Sequence, residues 1–386
     1  MSLYLDHNAT VPPRPEVLEA MAEVGRSRWG NPQSVHAWGR RARAVVEDAR
    51  EQVADLVGCE ARQVTFTSGA TEANNTVIKG RARFRGTGTV VVGATEHASV
   101  RQPARYLRQH GVAGIEIPAD GEGRITPQAL GRFLRASDPV AMVSIMWANN
   151  ETGTVQPVAE LAAVCADHGV PLHSDAVQAA GKLALDFLES GVSAISLSAH
   201  KIGGPQGVGA LIRDSEALPL DPLLHGGGHE RDRRAGTENV AGIAGFGRAA
   251  ELARGERHSF TDHTRALRDR LEDRLAQGNL AIEVVSTGAE RLPNTSCLLI
   301  PGVEAETLLM NLDLEGIAVS SGSACASGGL RPSAVLQAMG YSDERARSEL
   351  RVSLGPDNTA EDVDRFVQCL TDTVERLMRR GAKAGP

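Results

Sequence analysis

The stretch AISLSAHK (194–201) sets Lys201 directly after an apolar run, beside Ser198 and His200. A lysine at a strand end is commonly a solvated charge, but one held in a pocket can lose its proton and form a Schiff base. A second strand-like run, PLHSDA (171–176), carries Asp175 at its polar end. An aspartate placed against a pyridinium nitrogen keeps such a ring protonated and able to take up electrons. A lysine and an aspartate on adjacent strand ends are the two requirements of a pyridoxal phosphate site, and that cofactor is the expectation.

A phosphate needs a cradle, and FTSGATEAN (66–74) reads as strand, then Ser68-Gly69-Ala70-Thr71, then helix. Glycine allows close backbone approach, and the first amides of a helix are unsatisfied donors that favour an anion. The hydroxyls of Thr71 and Ser198 are further donors. Plain N-capping by Thr71 or Ser68 fits the same residues. Neither the Gly-Lys-Ser/Thr of a nucleotide P-loop nor GxGxxG is present here. His97 in ATEHASV is a capping or surface group, or an imidazole that stacks on the ring and handles protons. Gln178, three residues after Asp175, is placed to reach the cofactor's phenolic oxygen, and Asn150 in ANNET to hold that region or a substrate. Both also read as ordinary loop hydrogen-bonders. Arg351 in ELRVSLG offers a planar fork for a substrate carboxylate, or a salt bridge inside its own unit.

Cys325 stands in SSGSACASGG (320–329) among small residues, with no large apolar side chain in the run to bury it. A thiol that must travel cannot be packed in a core, and glycines at 322, 328 and 329 permit unusual torsions. Cys325 is therefore a candidate nucleophile, or simply a small residue in a turn. Cys59, Cys165, Cys297 and Cys369 read as structural thiols. Five widely spaced cysteines, without a CxxC pair or Cys/His cluster, indicate neither a disulfide framework nor a metal site.

The elements that must hold these residues alternate. VTFT (64–67), TVVVGA (89–94), IEIP (115–118), VAMVSIMW (140–147), PLHSDA, AISLSAH (194–200) and VGALIR (208–213) are strand-like, with helical periods after most of them. That alternation predicts an α/β fold with a mostly parallel sheet covered by helices on both faces. After about 239 the chain reads as long charged helices, then short strands at 281–286, 295–300 and 317–320, and an amphipathic helix near 359–380. The expected division is a large unit over 13–257 and a smaller α+β unit made of 1–12 and 258–386. The 386 residues are 41% hydrophobic with a net charge of −7, which excludes a disordered chain and a uniformly basic nucleic-acid surface. With no signal-like start and no apolar run of membrane-spanning length, a cytoplasmic location without membrane or direct nucleic-acid partners is expected.

Taken together, YLDHNAT, FTSGATEAN, TEHASV, NNETGTVQP, HSDAVQAAGK, SAHKIGGPQGVGAL, HGGGHERDRRAGTENV, SSGSACASG and RVSLG resemble, nearly end to end, the pyridoxal phosphate-dependent cysteine desulfurases of the iron–sulfur-assembly type, within the class V aminotransferases. The resemblance implies the fold-type-I transferase architecture with a seven-stranded sheet, and a homodimer with sites at the subunit interface. It implies that Lys201 carries the cofactor, Asp175 meets the ring nitrogen, Gln178 the phenolic oxygen, and His97 stacks on the ring. Ala70, Thr71, Ser198 and His200 would hold the phosphate, with Thr237 arriving from the partner subunit. Asn150 and Arg351 would grip the carboxylate of L-cysteine. Cys325, deprotonated at its docked position through His97, would leave as a persulfide on a mobile loop and pass its sulfur to an acceptor protein such as an iron–sulfur scaffold. Selenocysteine cleavage, another class V reaction and a non-enzymatic scaffold are the alternatives. The chain departs from many relatives in the alanine of SAHK, the glutamine of GGPQG and an early ending, which leaves scaffold docking open. Its first residues, Met-Ser-Leu, include a candidate cloning remnant.

Overall fold

A computed structural model of the chain describes residues 2–137, 139–322 and 331–383. After the short β1 (Leu3–Tyr4), seven strands form the principal sheet: β2 (Val64–Thr67), β3 (Thr89–Gly93), β4 (Gly114–Ile117), β5 (Val140–Ser144), β6 (Leu172–Asp175), β7 (Ala194–Ser198) and β8 (Gly209–Arg213). Their order is β2-β8-β7-β6-β5-β3-β4. The pairs from β7 through β4 are all parallel, and β8 runs antiparallel to both β7 and β2. The mostly parallel sheet read from the alternation is thus present.

Valine and isoleucine dominate these strands because both faces are covered. Val91, Val143 and Ile195 enter one core, whereas their neighbours Val90, Met142 and Ala194 enter another. That is the period-2 division of a strand buried on both sides. The helices Ala70–Arg85, Ala98–Gln109, Pro127–Ala136 and Val158–Asp167 follow β2, β3, β4 and β5. Because β8 opposes both neighbours, β2 runs in the same sense as β7. The carboxyl ends of β2, β3, β5, β6 and β7 therefore share one edge, where ligands of open α/β sheets collect.

The charged stretch after 239 is a single helix, Val240–Ala276, rather than several. No proline interrupts it, and its two halves serve different cores. Ile243, Phe246 and Ala250 pack under the principal sheet, while Leu267, Leu271 and Leu275 pack with Leu3, Leu5, Leu298, Leu350 and Phe366. The division expected at 257/258 falls inside this continuous helix. The second core also takes in β9 (Glu283–Val284), β10 (Thr295–Leu299), β11 (Ile317–Ala318), β12 (Glu349–Ser353) and the helix Ala360–Lys383. Strands β12-β10-β9 are antiparallel, and β1 pairs in parallel with β11. Among the described residues no helix is long and apolar enough to cross a membrane.

Candidate active site

The shared strand edge opens into a cavity of about 730 Å³. Lys201, Asp175, His97, Gln178, Ala70, Thr71, Ser198, His200, Asn150 and Arg351 all line it. Two of them stand on neighbouring strands. Asp175 ends β6 and Lys201 sits on the 3₁₀ turn that follows β7, with Asp175 opposite Ser196 in the parallel ladder.

Lys201 Nζ donates to the carbonyls of Asn8 (2.6 Å) and Ala9 (2.7 Å). Asp175 is buried; its Oδ2 accepts from Asn74 Nδ2 at 2.7 Å and its Oδ1 from the Val177 amide at 3.1 Å. Beside it, burial holds the Glu96 carboxyl well above the ordinary carboxylate range. Burial also depresses the His97 imidazole; Asp175 opposes that effect and Lys201 adds to it. The His200 ring falls to about 4, from burial and then Lys201, and faces Thr10 Oγ1 at 3.1 Å.

The helix Ala70–Arg85 has Gly69 as N-cap, and no side chain among the described residues caps it. Capping by Thr71 or Ser68 is thereby overturned, because the cap position falls on a residue with no side chain. Gly69 has φ +154°, and the Cβ of any side chain at Gly209 would come within 2.6 Å of its Cα. Glycine at both positions keeps this backbone close to the sheet and the helix amides turned to the cavity. An uncapped helix terminus, a buried carboxylate and a lysine amine around one space of this size fit pyridoxal phosphate in phosphate, ring nitrogen and carbonyl carbon respectively.

Two competing readings of the sequence turn out to coexist. His97 is the N-cap of Ala98–Gln109, its Nδ1 accepting from the Ser99 amide at 3.1 Å, and it also lines the cavity. Arg351 is paired with Asp6, Nη2 to Oδ1 at 2.7 Å, and its Nη1 donates to the Asn150 carbonyl at 3.1 Å. Its Nε is buried without a hydrogen-bond partner among the described residues. Gln178 donates to the Asn8 carbonyl at 2.9 Å and accepts from Lys182 Nζ at 2.7 Å.

Thr237 does not line the cavity of its own chain. The segment before it contains three successive non-glycine residues at positive φ, Glu230 (48°), Arg231 (57°) and Asp232 (63°). Each such residue is unfavourable by ~1 kcal/mol or more. The turn is anchored by the buried Glu230, which takes both Arg50 Nη atoms (2.8 and 2.9 Å) and the Phe66 amide (2.8 Å). Cys325 lies outside the described residues.

Several functional candidates escaped the sequence reading. Asn8 joins the two cores: its carbonyl takes Lys201 and Gln178, its Oδ1 takes Lys182 and Asn294, and its Nδ2 donates to Thr295 Oγ1. Polar DHN directly after an apolar strand was the available signal. Lys182, fully enclosed, falls to about 7 through burial, then Lys201 and Arg351. Glu151 and Glu349 are a buried carboxyl pair beside Gly322. A Cβ at Gly322 would lie 1.9 Å from Glu151 Oε2 and 2.7 Å from Glu349 Oε2. Ser333 donates to Glu151 at 2.6 Å, and the Gly322 amide to Glu349 at 3.1 Å.

Burial, then Glu151, raises Glu349 to about 8, with Arg351 opposing. The folded chain thus holds a proton there that the unfolded chain releases above about 4.5. The stability this contributes is complete below 4.5 and lost as pH rises through 8. Glu349→Gln, neutral at every pH, is expected to melt much like the parent at pH 5 but to be more stable at pH 9, by up to ~5 kcal/mol. Melting temperatures across that range check it; a variant less stable than the parent at pH 9 would contradict the assignment.

The sequence model of the family described as Aminotransferase class-V matches residues 3–366. The chain belongs to this pyridoxal phosphate-dependent family, whose fold and cofactor site it carries. Among relatives, it is 43% identical to an IscS-like cysteine desulfurase of Mycobacterium tuberculosis, covering 99% of this chain and 98% of that protein. Among solved structures, a NifS-like protein superposes with TM-score 0.89 at 35% identity, over 97% of this chain and all of the other. SspA in complex with cysteine superposes with TM-score 0.79 at 30% identity, over 93% of this chain and all of the other.

Proposed function

We propose that the chain is a cysteine desulfurase, converting L-cysteine to L-alanine and placing the sulfur on Cys325 as a persulfide. The reaction balances with no other reactant: the C–S bond of cysteine breaks, an S–S bond forms, and a proton returns to the carbon skeleton. The observation that carries the reading is the convergence of Lys201, Asp175 and Arg351 on one cavity beside an uncapped helix terminus. The names of the relatives, and cysteine as the ligand in the SspA structure, support the substrate.

The division of labour follows from the contacts. The amides after Gly69, with Thr71, Ser198 and His200, would hold the phosphate, and Lys201 the reactive carbon. When bound, the cofactor supplies an electron sink for the substrate's α-carbon. Asp175, fixed by Asn74, would meet the ring nitrogen and keep it protonated. Arg351 would receive the substrate carboxylate, with Asn150 beside it in the cavity lining. Lys201 would take the α-proton on Nζ. Thr237, outside its own cavity, fits a contribution to a partner subunit's site in a homodimer. A cytoplasmic enzyme delivering sulfur to an acceptor protein, an iron–sulfur scaffold among them, completes the reading.

The purified protein is expected to be yellow, to lose its visible band on borohydride treatment, and to yield one alanine per cysteine consumed. A colourless protein that gains no band with added pyridoxal phosphate, and forms no alanine, would end the reading.

A further inference from the structure

Asp175 and His97 are joined by a chain of hydrogen bonds whose direction can be worked out. Asn74 is fully buried, and its Nδ2 lies 2.7 Å from Asp175 Oδ2 and 2.9 Å from Ser99 Oγ. The amide nitrogen faces both Asp175 Oδ2 and Ser99 Oγ, which sets the Asn74 orientation. Both amide hydrogens are then committed. Ser99 Oγ, accepting one of them, has its own hydrogen for His97 Nδ1, 2.7 Å away. The Ser99 amide donates to the same Nδ1 at 3.1 Å.

Nδ1 of His97 therefore receives two hydrogen bonds and carries no proton. Protonating it would break both and set a cation at the N-terminus of Ala98–Gln109, where the helix dipole disfavours positive charge. Burial acts in the same direction. The one orientation that all donors allow has the ring proton on Nε2, the nitrogen left for the cavity that His97 lines.

We propose that Asn74 and Ser99 are positioning residues that hold His97 as the neutral Nε2–H tautomer and tie it to Asp175 in one chain. Resting on the desulfurase reading, this makes His97 a hydrogen-bond donor to an anionic group over the cofactor, such as the sulfur of cysteine. It replaces the expectation that His97 deprotonates the thiol, because Nε2 already bears a hydrogen and Nδ1 is closed. The Asn74 carbonyl, buried with no hydrogen-bond partner among the described residues, shows that the site tolerates an unsatisfied acceptor while keeping both donors aimed this way.

The test is ¹⁵N NMR of the histidine side chains in the full-length protein as purified, without substrate, with His97 assigned by loss of its signals in His97→Gln. A protonated Nε2 and unprotonated Nδ1 at neutral pH are expected. An Nδ1–H tautomer or an imidazolium overturns the proposal. In Ser99→Ala the backbone donor survives, so the tautomer ratio should fall about fivefold, the worth of one neutral hydrogen bond. Asn74→Ala, which frees the Ser99 hydroxyl, should shift it in the same direction. Unchanged ratios in both variants would remove the positioning role. Because no turnover is read, these outcomes are separate from any failure to desulfurate cysteine.

Discussion

Lys201→Ala should abolish the visible band and lower alanine formation from L-cysteine by at least ~10⁴-fold, since one group is removed that both anchors the cofactor and moves the α-proton. The amine donates to two backbone carbonyls of the Asn8–Ala9 segment. Substitution leaves those carbonyls at the cavity, where water can serve them, and the melting temperature should drop little. A small primary amine added to the variant should restore part of the rate. Activity within tenfold of the parent, in protein that melts normally, would remove Lys201 from the chemistry.

Cys325→Ala should lower turnover of L-cysteine by at least ~10³-fold, as loss of a nucleophile does, yet leave the band and its response to added L-cysteine in place. Arg351, Asp175 and Lys201 bind and activate the substrate without the thiol; only removal of sulfur requires it. Cleavage of selenocysteine, whose selenium is the better leaving group, should survive the substitution. Equal loss on both substrates would mean that Cys325 serves binding rather than sulfur acceptance, and unchanged cysteine turnover would exclude it. None of the four described cysteines is a ready substitute. Burial raises the thiols of Cys59 and Cys165 to about 12 and that of Cys297 well above its ordinary value, and Cys369 is raised too. Each is held as the less nucleophilic thiol.

Much of the site was legible because its residues stand where strands end. An apolar run followed by SAHK or SDA can be read one strand at a time, and the parallel ladder then gathers those endings on one edge. Capping and catalysis could not be separated in the same way. His97 and Arg351 each satisfied two readings, and only the packed chain shows that one ring can cap a helix and line a cavity, and that one guanidinium can be paired with an aspartate and line the same cavity. Asn8, Asn74, Lys182, Glu151 and Glu349 were missed because partners far off in sequence hold them. The amide of Asn74 meets a carboxylate 101 positions away, and Arg351 meets an aspartate 345 positions away.

The residue order alone determined the α/β class, the strands, the lysine–aspartate pairing of a cofactor site and the family, because these follow from local periodicity and from motifs within a few residues. Tertiary structure decided the single helix spanning both cores, the placement of β8 against two neighbours of opposite sense, and the long-range partners of buried groups such as Asn8, Asn74 and Arg351. Those depend on which distant segments exclude water from one another. For these groups the donor and its acceptor lie on segments that only the fold brings together, and no short stretch of sequence contains both.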